Sequence, residues 1–347
     1  MSGGVDSSVA ALLLKERGYE VVGVTLNLWS YEGRSEPYNE CCSLEVSVVA
    51  QQLGIEHHFL DGGQAFKQHV VDYFIRGYLS GRTPSPCMRC NRFIRFPILL
   101  EHARKLGCDY LATGHHARVE RQNGVFYLKK GRDSFKDQSY FLFHLTQDAL
   151  KRLLLPIGDY LKEEIWEIAR RHNLVSARKP ESQDLCFLPQ GNYRAYLKAR
   201  TNGHIREGEI VDLAGNVLGR HQGLPFYTIG QRSGLGVATG KRVYVVALDP
   251  HHNRVIVGGE EHLTSYGLIA SEVSFVYQPK LEAPENVEIK IRYRSQPVEA
   301  TITPLDDSQA EVHFKCPQKA VTPGQAVVFY KGDVVFGGGI IEAAVTL

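Results

Sequence analysis

A run of small residues, Ser2-Gly3-Gly4-Val5-Asp6-Ser7-Ser8, passes without a break into an apolar pattern at Val9, Leu12 and Leu13 that stops at Gly18. A turn of this kind opening a helix is a phosphate-binding device. The glycines let the backbone approach an anion, and the first-turn N–H groups have no partner inside the helix. A GxxxxGK[ST] loop holds a lysine for the outer phosphates; none stands here, so attack at an α-phosphate suits the loop better than γ-phosphoryl transfer. The same residues would also serve as a plain helix cap. Such loops hang from the carboxyl end of a buried strand, which gives the expectation of an apolar strand ahead of Ser2, with Met1 lying inside a longer reading frame.

The pattern that follows is one of alternating strands and helices. Apolar strands are expected at Val21–Leu28, Glu56–Leu60 and Tyr110–Thr113, with helical periodicity from Ser7, near Leu44–Leu53, around Phe66–Leu79, near Phe93–Leu106 and at Lys162–His172. This predicts an α/β domain with a doubly wound parallel sheet over residues 1–199. Ala117–Lys130 alternates around Asn123-Gly124 and predicts a hairpin leaving that sheet. Beyond residue 200 come short β-rich runs at Tyr244–Leu248, Arg254–Val257, Val287–Arg294, Ala300–Thr303, Glu311–Phe314 and Ala326–Tyr330, with no helices between them. They predict a small β-rich linking domain over 200–268 and a C-terminal β-barrel over 269–347.

At 347 residues with 43% apolar content, the chain can bury more than one core. It has no run of about 18 apolar residues and no basic-then-apolar leader, so a cytoplasmic protein without a membrane partner is expected. A net charge of +2 does not by itself call for nucleic acid, but Arg82, Arg89, Arg92 and Arg95 concentrate positive charge in one stretch. Seven cysteines in so long a chain are read as redox or metal chemistry rather than a disulfide framework.

That chemistry concentrates in Gly81-Arg82-Thr83-Pro84-Ser85-Pro86-Cys87-Met88-Arg89-Cys90-Asn91, read as a proline-stiffened loop presenting two cysteines beside arginines. The pair admits three readings: a redox couple, half a zinc site, or part of an iron–sulfur site. Cys186, in a second polar stretch, is a candidate to converge with Cys87 and Cys90. Cys108 and Cys316 are assigned to packing, and Cys41-Cys42 to a helix start. Gly114 and His115 fall at the carboxyl end of a strand, where open α/β sheets bind ligands; Gly114 would permit close approach of a nucleotide, and His115 could contact substrate or orient a phosphate. Lys136-Asp137-Gln138-Ser139-Tyr140 suits RNA contact.

Taken together, Ser-Gly-Gly-Val-Asp-Ser, Gly-Arg-Thr-Pro-x-Pro-x-x-x-Cys-Asn, Thr-Gly-His, Lys-Asp-Gln-Ser-Tyr-Phe-Leu and Cys-Phe, in this order, closely resemble the tRNA-specific 2-thiouridylases (the MnmA family of the PP-loop ATP-pyrophosphatase superfamily). The likeness runs on through Thr228-Ile229-Gly230-Gln231-Arg232, Ile291-Arg292-Tyr293-Arg294, Thr322-Pro323-Gly324-Gln325 and Gly337-Gly338-Gly339-Ile340-Ile341. The resemblance implies a tRNA-uridine 2-sulfurtransferase. It would use ATP and Mg2+ to adenylate the C2 oxygen of the wobble uridine (position 34) and replace that oxygen with sulfur.

By the same resemblance, ATP contacts Ser2, Gly3, Gly4, Val5, Asp6, Ser7, Ser8, Leu26 and Gly114, and the target base lies by Ser85, Pro86 and Cys87. Contact with tRNA is assigned to His115, Lys136, Asp137, Gln138, Arg292, Tyr293 and Gln325. Cys186 carries the persulfide and Cys90 resolves it through a transient Cys90–Cys186 disulfide, with Arg89 and Arg92 favouring thiolate. The implied partners are the anticodon stem-loops of Lys, Glu and Gln tRNAs and a persulfide donor such as a cysteine desulfurase or relay protein. Cys87 departs from the aspartate usual in the motif. With three thiols, a [4Fe–4S] cluster on Cys87, Cys90 and Cys186 is a second route to the same sulfur transfer. A PP-loop amidotransferase or ligase would explain residues 2–8 but not the cysteines, and a non-catalytic RNA- or metal-binding protein is the other alternative.

Overall fold

The computed structural model describes residues 1–29, 44–178, 185–188, 192–201 and 203–346. Cys41-Cys42 lies outside the described residues. The chain divides into two compact units, residues 1–71, 87–187 and 332–336 forming one, and 72–86, 188–331 and 337–347 the other.

In the first unit, α1 (Val5–Glu16) is apolar nearly all round and buries Val5, Val9, Ala10, Ala11, Leu12, Leu13 and Leu14, as a helix enclosed by neighbours must. It stops where Gly18 takes φ +83° and its N–H donates to the Lys15 carbonyl at 2.9 Å, a left-handed ending that glycine adopts without strain. β1 (Val22–Asn27), α2 (Leu44–Leu53) and β2 (Glu56–Asp61) follow. β1 and β2 pair in parallel from Val22↔Glu56 to Asn27↔Asp61. Met1 lies along β1: its amino group donates to the Val24 carbonyl, and Thr25 Oγ1 donates to the Met1 carbonyl at 2.8 Å.

α3 (Gly63–Phe66) runs through a π turn at Lys67–Val71 into α4 (Asp72–Leu79), which opens the second unit. α5 (Pro86–Cys90) continues through a second π turn, Asn91–Arg95, into α6 (Phe96–Lys105). The expected cysteine-bearing loop is therefore a helix from Pro86 onward. Proline at a first helical position gives up an N–H that has no intrahelical partner anyway, so it starts a helix rather than breaking one.

β3 (Leu111–Ala112), the hairpin of β4 (Ala117–Gln122) and β5 (Val125–Lys130), α7 (Gln147–Lys151), β6 (Leu153–Leu154) and α8 (Lys162–Arg171) complete the unit's regular elements. The hairpin turns at Asn123 and Gly124, both at positive φ (50° and 83°), as a two-residue turn matched to strand twist requires. β3 pairs with β6 in parallel, so the parallel strands stand in two separate two-stranded pieces. Val9 of α1, Val49 of α2, and Ile165 and Ala169 of α8 share one core cluster.

In the second unit, Tyr78 of α4 stacks on Tyr193 of α9 (Tyr193–Arg200) at 5.2 Å between ring centroids. β7 (Gly208–Val211), β8 (Val217–His221), β9 (Tyr244–Asp249) and β10 (Arg254–Gly258) form a sheet of order β8-β7-β10-β9. β11 (Thr264–Phe275), β12 (Glu285–Lys290), β13 (Val298–Pro304), β14 (Ala310–Lys319), β15 (Ala326–Lys331) and β16 (Val334–Val345) run in the order β11-β14-β13-β12-β15-β16, and β16 pairs back onto β11, closing a barrel. Along β14, Ala310, Val312 and Phe314 alternate inward.

The expected domain limits at 199 and 268 fall inside α9 and β11. Arg292 and Tyr293, expected on a strand, lie beyond the end of β12 in a turn where the Ser295 N–H donates to the Arg292 carbonyl at 3.1 Å. Among the described residues, no helix is long and apolar enough to cross a membrane.

Candidate active site

The small-residue loop folds onto itself. Gly3 takes φ +76°, and Gly4 caps α1 with no side-chain cap bond. Ser7 Oγ and Ser8 Oγ both donate to the Gly4 carbonyl, at 3.1 and 3.0 Å, while Ser2 N–H donates to Ser7 Oγ at 3.1 Å. The hydroxyls are thus turned inward, and the first-turn N–H groups of α1, with no i−4 carbonyl to reach, present an anion site. A cavity of about 580 Å3 adjoins it, lined by Ser2, Asp6, Ser7, Leu26, Gly114 and His115 among others. That volume suits a nucleotide-sized ligand. Residues separated by more than a hundred positions in the sequence meet on this one cavity.

Gly114 is required for a reason other than the one expected. A Cβ there would lie 2.7 Å from the Asp6 carbonyl carbon and 2.8 Å from the Ser7 nitrogen, so its close neighbour is the backbone of the α1 first turn. His115 also departs from expectation. It is buried, stacks on Phe96 at 5.9 Å, and its Nδ1 pairs with Thr113 Oγ1 at 2.8 Å. Burial, helped by the nearby Arg95 and His116 charges, pushes its pKa down to about 3. A neutral, enclosed ring does not serve as a surface cation for an RNA phosphate; it offers the cavity a polar wall.

His144, deeply enclosed, is likewise pushed down to about 3, by burial first and Arg92 second. In the unfolded chain both histidines take up protons below about pH 6.5, whereas the folded chain resists until near their own values. Stability therefore falls as pH drops from about 6.5 toward 3. Replacing His115 with Phe should reduce that slope by about 1.4 kcal/mol per pH unit. Denaturant unfolding at several pH values reads it, and an unchanged slope contradicts the assignment.

Two residues that the sequence reading did not single out complete the loop's electrostatics. Lys162 Nζ donates to Asp6 Oδ1 and Oδ2 at 2.6 and 2.8 Å, and His116 Nε2 lies 3.3 Å from Oδ1. Burial works to raise the Asp6 pKa, but the His116 hydrogen bond and the Lys162 charge outweigh it and hold the carboxyl below its ordinary value. A signal for Lys162 was present in the sequence: it opens α8, where a cation opposes the helix dipole and where Glu163 and Glu164 are the expected residue type.

Cys87 and Cys90 stand one turn apart on α5, with Cys87 exposed and Cys90 buried. Arg89 and Arg92, expected to favour thiolate, instead lie over the Phe93 ring at 4.3 and 5.0 Å. Cys186 is exposed, next to the buried Phe187. The helical run from α3 into its π turn links the two regions. Phe66 packs on Phe187 at 5.8 Å, and His69, one turn on, stacks on Phe93 at 5.4 Å.

Among the described residues, no three His, Cys, Asp or Glu side chains are grouped so as to hold a metal ion. The three thiols are therefore not a ready-made cluster site, and both oxygens of Asp6 are already taken. Cys108 is half-buried, whereas Cys316 is exposed on β14, so packing does not account for it.

The residues expected to contact RNA separate by burial. Asp137 is buried and accepts from the Gly131 N–H, Ser139 N–H and Ser139 Oγ at 3.0, 3.1 and 2.9 Å, so its carboxylate holds the loop rather than a ligand. Gln138 Oε1 accepts from the His116 N–H at 3.0 Å, and Lys136 is half-buried. Within the second unit, Gln325 Nε2 donates to the Thr83 carbonyl at 2.9 Å, and exposed Arg292 donates to the Lys319 carbonyl at 2.7 Å. Ser85 and Pro86 are buried just ahead of Cys87. Phe135, which the sequence reading passed over, is 92% exposed on a turn fixed by Asp133 Oδ1, which accepts the Phe135 and Lys136 N–H groups at 3.0 and 3.2 Å.

Fold and site define an α/β protein with an anion-binding helix start beside a nucleotide-sized cavity, a thiol-bearing helix and appended β modules. Family models agree: residues 1–190 match the tRNA methyl transferase HUP domain, 194–259 the tRNA methyl transferase PRC-barrel domain, and 265–341 the aminomethyltransferase beta-barrel domain. The chain is 51% identical over 350 residues to the tRNA-specific 2-thiouridylase MnmA of Moorella thermoacetica, covering 99% of this chain and 98% of the relative. It is 49% identical to that of Carboxydothermus hydrogenoformans, covering 99% and 96%. Among solved structures, the U34-tRNA thiolase NcsA from Methanococcus maripaludis with its [4Fe-4S] cluster aligns at 20% identity and a TM-score of 0.34, covering 58% of this chain and 62% of that one. The chain belongs to the tRNA-specific 2-thiouridylase family.

Proposed function

We propose that the protein converts the wobble uridine (position 34) of tRNA to 2-thiouridine, with ATP cleaved to AMP and diphosphate. The reading is supported above all by one compact unit that holds an anion-binding helix start, a nucleotide-sized cavity and the three cysteines Cys87, Cys90 and Cys186. In the first step the C2 oxygen attacks the α-phosphorus, and the electron pair of the broken P–O bond leaves with diphosphate. The terminal sulfur of a persulfide on Cys186 then attacks C2, and AMP departs with the former uridine oxygen. The Cys90 thiolate attacks Cys186 Sγ, the S–S bond breaks toward the transferred sulfur, and the resulting Cys90–Cys186 disulfide is reduced by an external thiol.

Lys, Glu and Gln tRNAs are the proposed substrates, a cysteine desulfurase or relay protein the donor, and the cytoplasm the compartment. Magnesium would accompany ATP by binding its phosphates. An iron–sulfur cluster is the rival route, and among the described residues no three donors stand grouped to hold it. Iron-free protein given ATP, a persulfide donor and unmodified tRNA tests the proposal. Formation of 2-thiouridine supports the persulfide route, whereas activity only in proportion to bound iron overturns it.

Phe135 offers unpaired anticodon-loop bases a stacking surface, on a turn that is already ordered. Phe135→Ala is expected to raise the KM for tRNA about tenfold, with Phe135→Trp retaining affinity, since aromatic–base stacking is worth about 1 to 3 kcal/mol. Steady-state kinetics at saturating ATP check it.

A further inference from the structure

We infer that Lys162 is a positioning residue that neutralises Asp6, so that the first turn of α1 can receive the phosphates of a nucleoside triphosphate. The inference rests on the proposed use of ATP. A carboxylate in the first turn of a helix complements the helix dipole, yet at an anion site it repels the ligand the site is built for. Here both Asp6 oxygens are held by Lys162, at 2.6 and 2.8 Å, and Oδ1 also faces His116 at 3.3 Å. Side-chain exposure is 7% for Lys162 and 3% for His116, so both partners are withdrawn from solvent, while Asp6, at 27%, faces the cavity.

Stability does not explain the arrangement. A buried lysine at a helix start pays both desolvation and the opposing dipole, and apolar residues of similar volume would pack there at lower cost. His116 Nδ1 is in addition buried with no hydrogen-bond partner among the described residues, a second departure from a self-satisfied core. The pairing draws on α1, the segment after β3, and α8, so residues far apart in the chain are committed to one carboxylate at the loop. The lysine absent from the loop is supplied from α8, where it sets the charge of the loop.

Equilibrium dialysis of radiolabelled ATP against the full chain provides the test, and it needs neither tRNA nor sulfur. Wild-type protein that fails to bind ATP contradicts the proposed function itself. Given wild-type binding, Lys162→Met should weaken ATP at least about tenfold, because the Asp6 carboxylate, left with His116 alone, then faces the phosphates without its lysine. Adding Asp6→Asn to Lys162→Met should recover at least about tenfold of that loss, and Lys162→Arg, which keeps the charge, should stay within about threefold of wild type. Unaltered ATP binding by Lys162→Met overturns the inference. So does a double variant no tighter than Lys162→Met, which would mean that Lys162 touches the phosphates itself or only supports the fold. Should Lys162→Met fail to fold, the Arg variant decides, since a loss beyond about threefold with the charge retained overturns it equally.

Discussion

Cys186→Ser is expected to lower 2-thiouridine formation by at least about a thousandfold while leaving tRNA-dependent diphosphate release in place, because in the proposed mechanism the thiol enters only after the uridine oxygen has been activated. Cys90→Ser should stop multiple turnover in the same way. Cys87→Ser separates the two sulfur routes. In the proposed persulfide route Cys186 carries the sulfur and Cys90 resolves it, so that route can run without Cys87, which stands exposed one turn from Cys90. A [4Fe–4S] cluster needs it as a ligand. Retained thiolation in Cys87→Ser together with loss in Cys186→Ser is the expected pattern, read by mass spectrometry of digested tRNA. Equal loss in all three would favour the cluster.

The second large effect is expected at Gly114. An added methyl group would press on the Asp6 carbonyl carbon and the Ser7 nitrogen, at 2.7 and 2.8 Å, and both are backbone atoms at the start of a buried helix that cannot turn aside. Gly114→Ala should therefore shift the anion loop, destabilise the protein by about 1 to 3 kcal/mol through overpacking, and weaken ATP-dependent turnover at least about tenfold. Gly124→Ala is the control: its φ of +83° strains an added side chain, but nothing lies within 4 Å of it. It should cost about 1 kcal/mol with turnover unchanged. Thermal melts and initial rates on both variants decide between loop displacement and general backbone strain.

The local elements that carry their own punctuation were readable in the sequence. α1 has a glycine turn before it and Gly18 after it, and the hairpin at Asn123-Gly124 has residues that accept positive φ. Elements defined by contact at a distance were not. β11 and β16 were overlooked because glycines interrupt their apolar alternation. Those glycines are there because a Cβ on Gly267 would lie 2.4 Å from the Val312 carbonyl oxygen, and one on Gly337 would lie 2.3 Å from that of Ser274. The barrel closes through backbones too close for side chains, a requirement no window of sequence displays.

At the site, the loop, Leu26 and Gly114 were expected around one nucleotide, and they do share a cavity. His116 gave no such signal, since it acquires its role only through Asp6, 110 positions away; Lys162 was marked by its place against the dipole at the start of α8, but its partner stands 156 positions away and no window of sequence names it. The cysteine-bearing segment was misread as a loop because Pro86 has opposite meanings at a helix start and within a helix.

The claim on which the account depends is that ATP activates the uridine C2 oxygen. It is tested most directly with tRNA carrying oxygen-18 at C2 of the wobble uridine, incubated with the protein, ATP and a persulfide donor, and followed by mass spectrometry of both nucleotide and nucleoside. The account predicts AMP bearing one oxygen-18 atom, formed in step with 2-thiouridine. Unlabelled AMP, or ADP in its place, would contradict it.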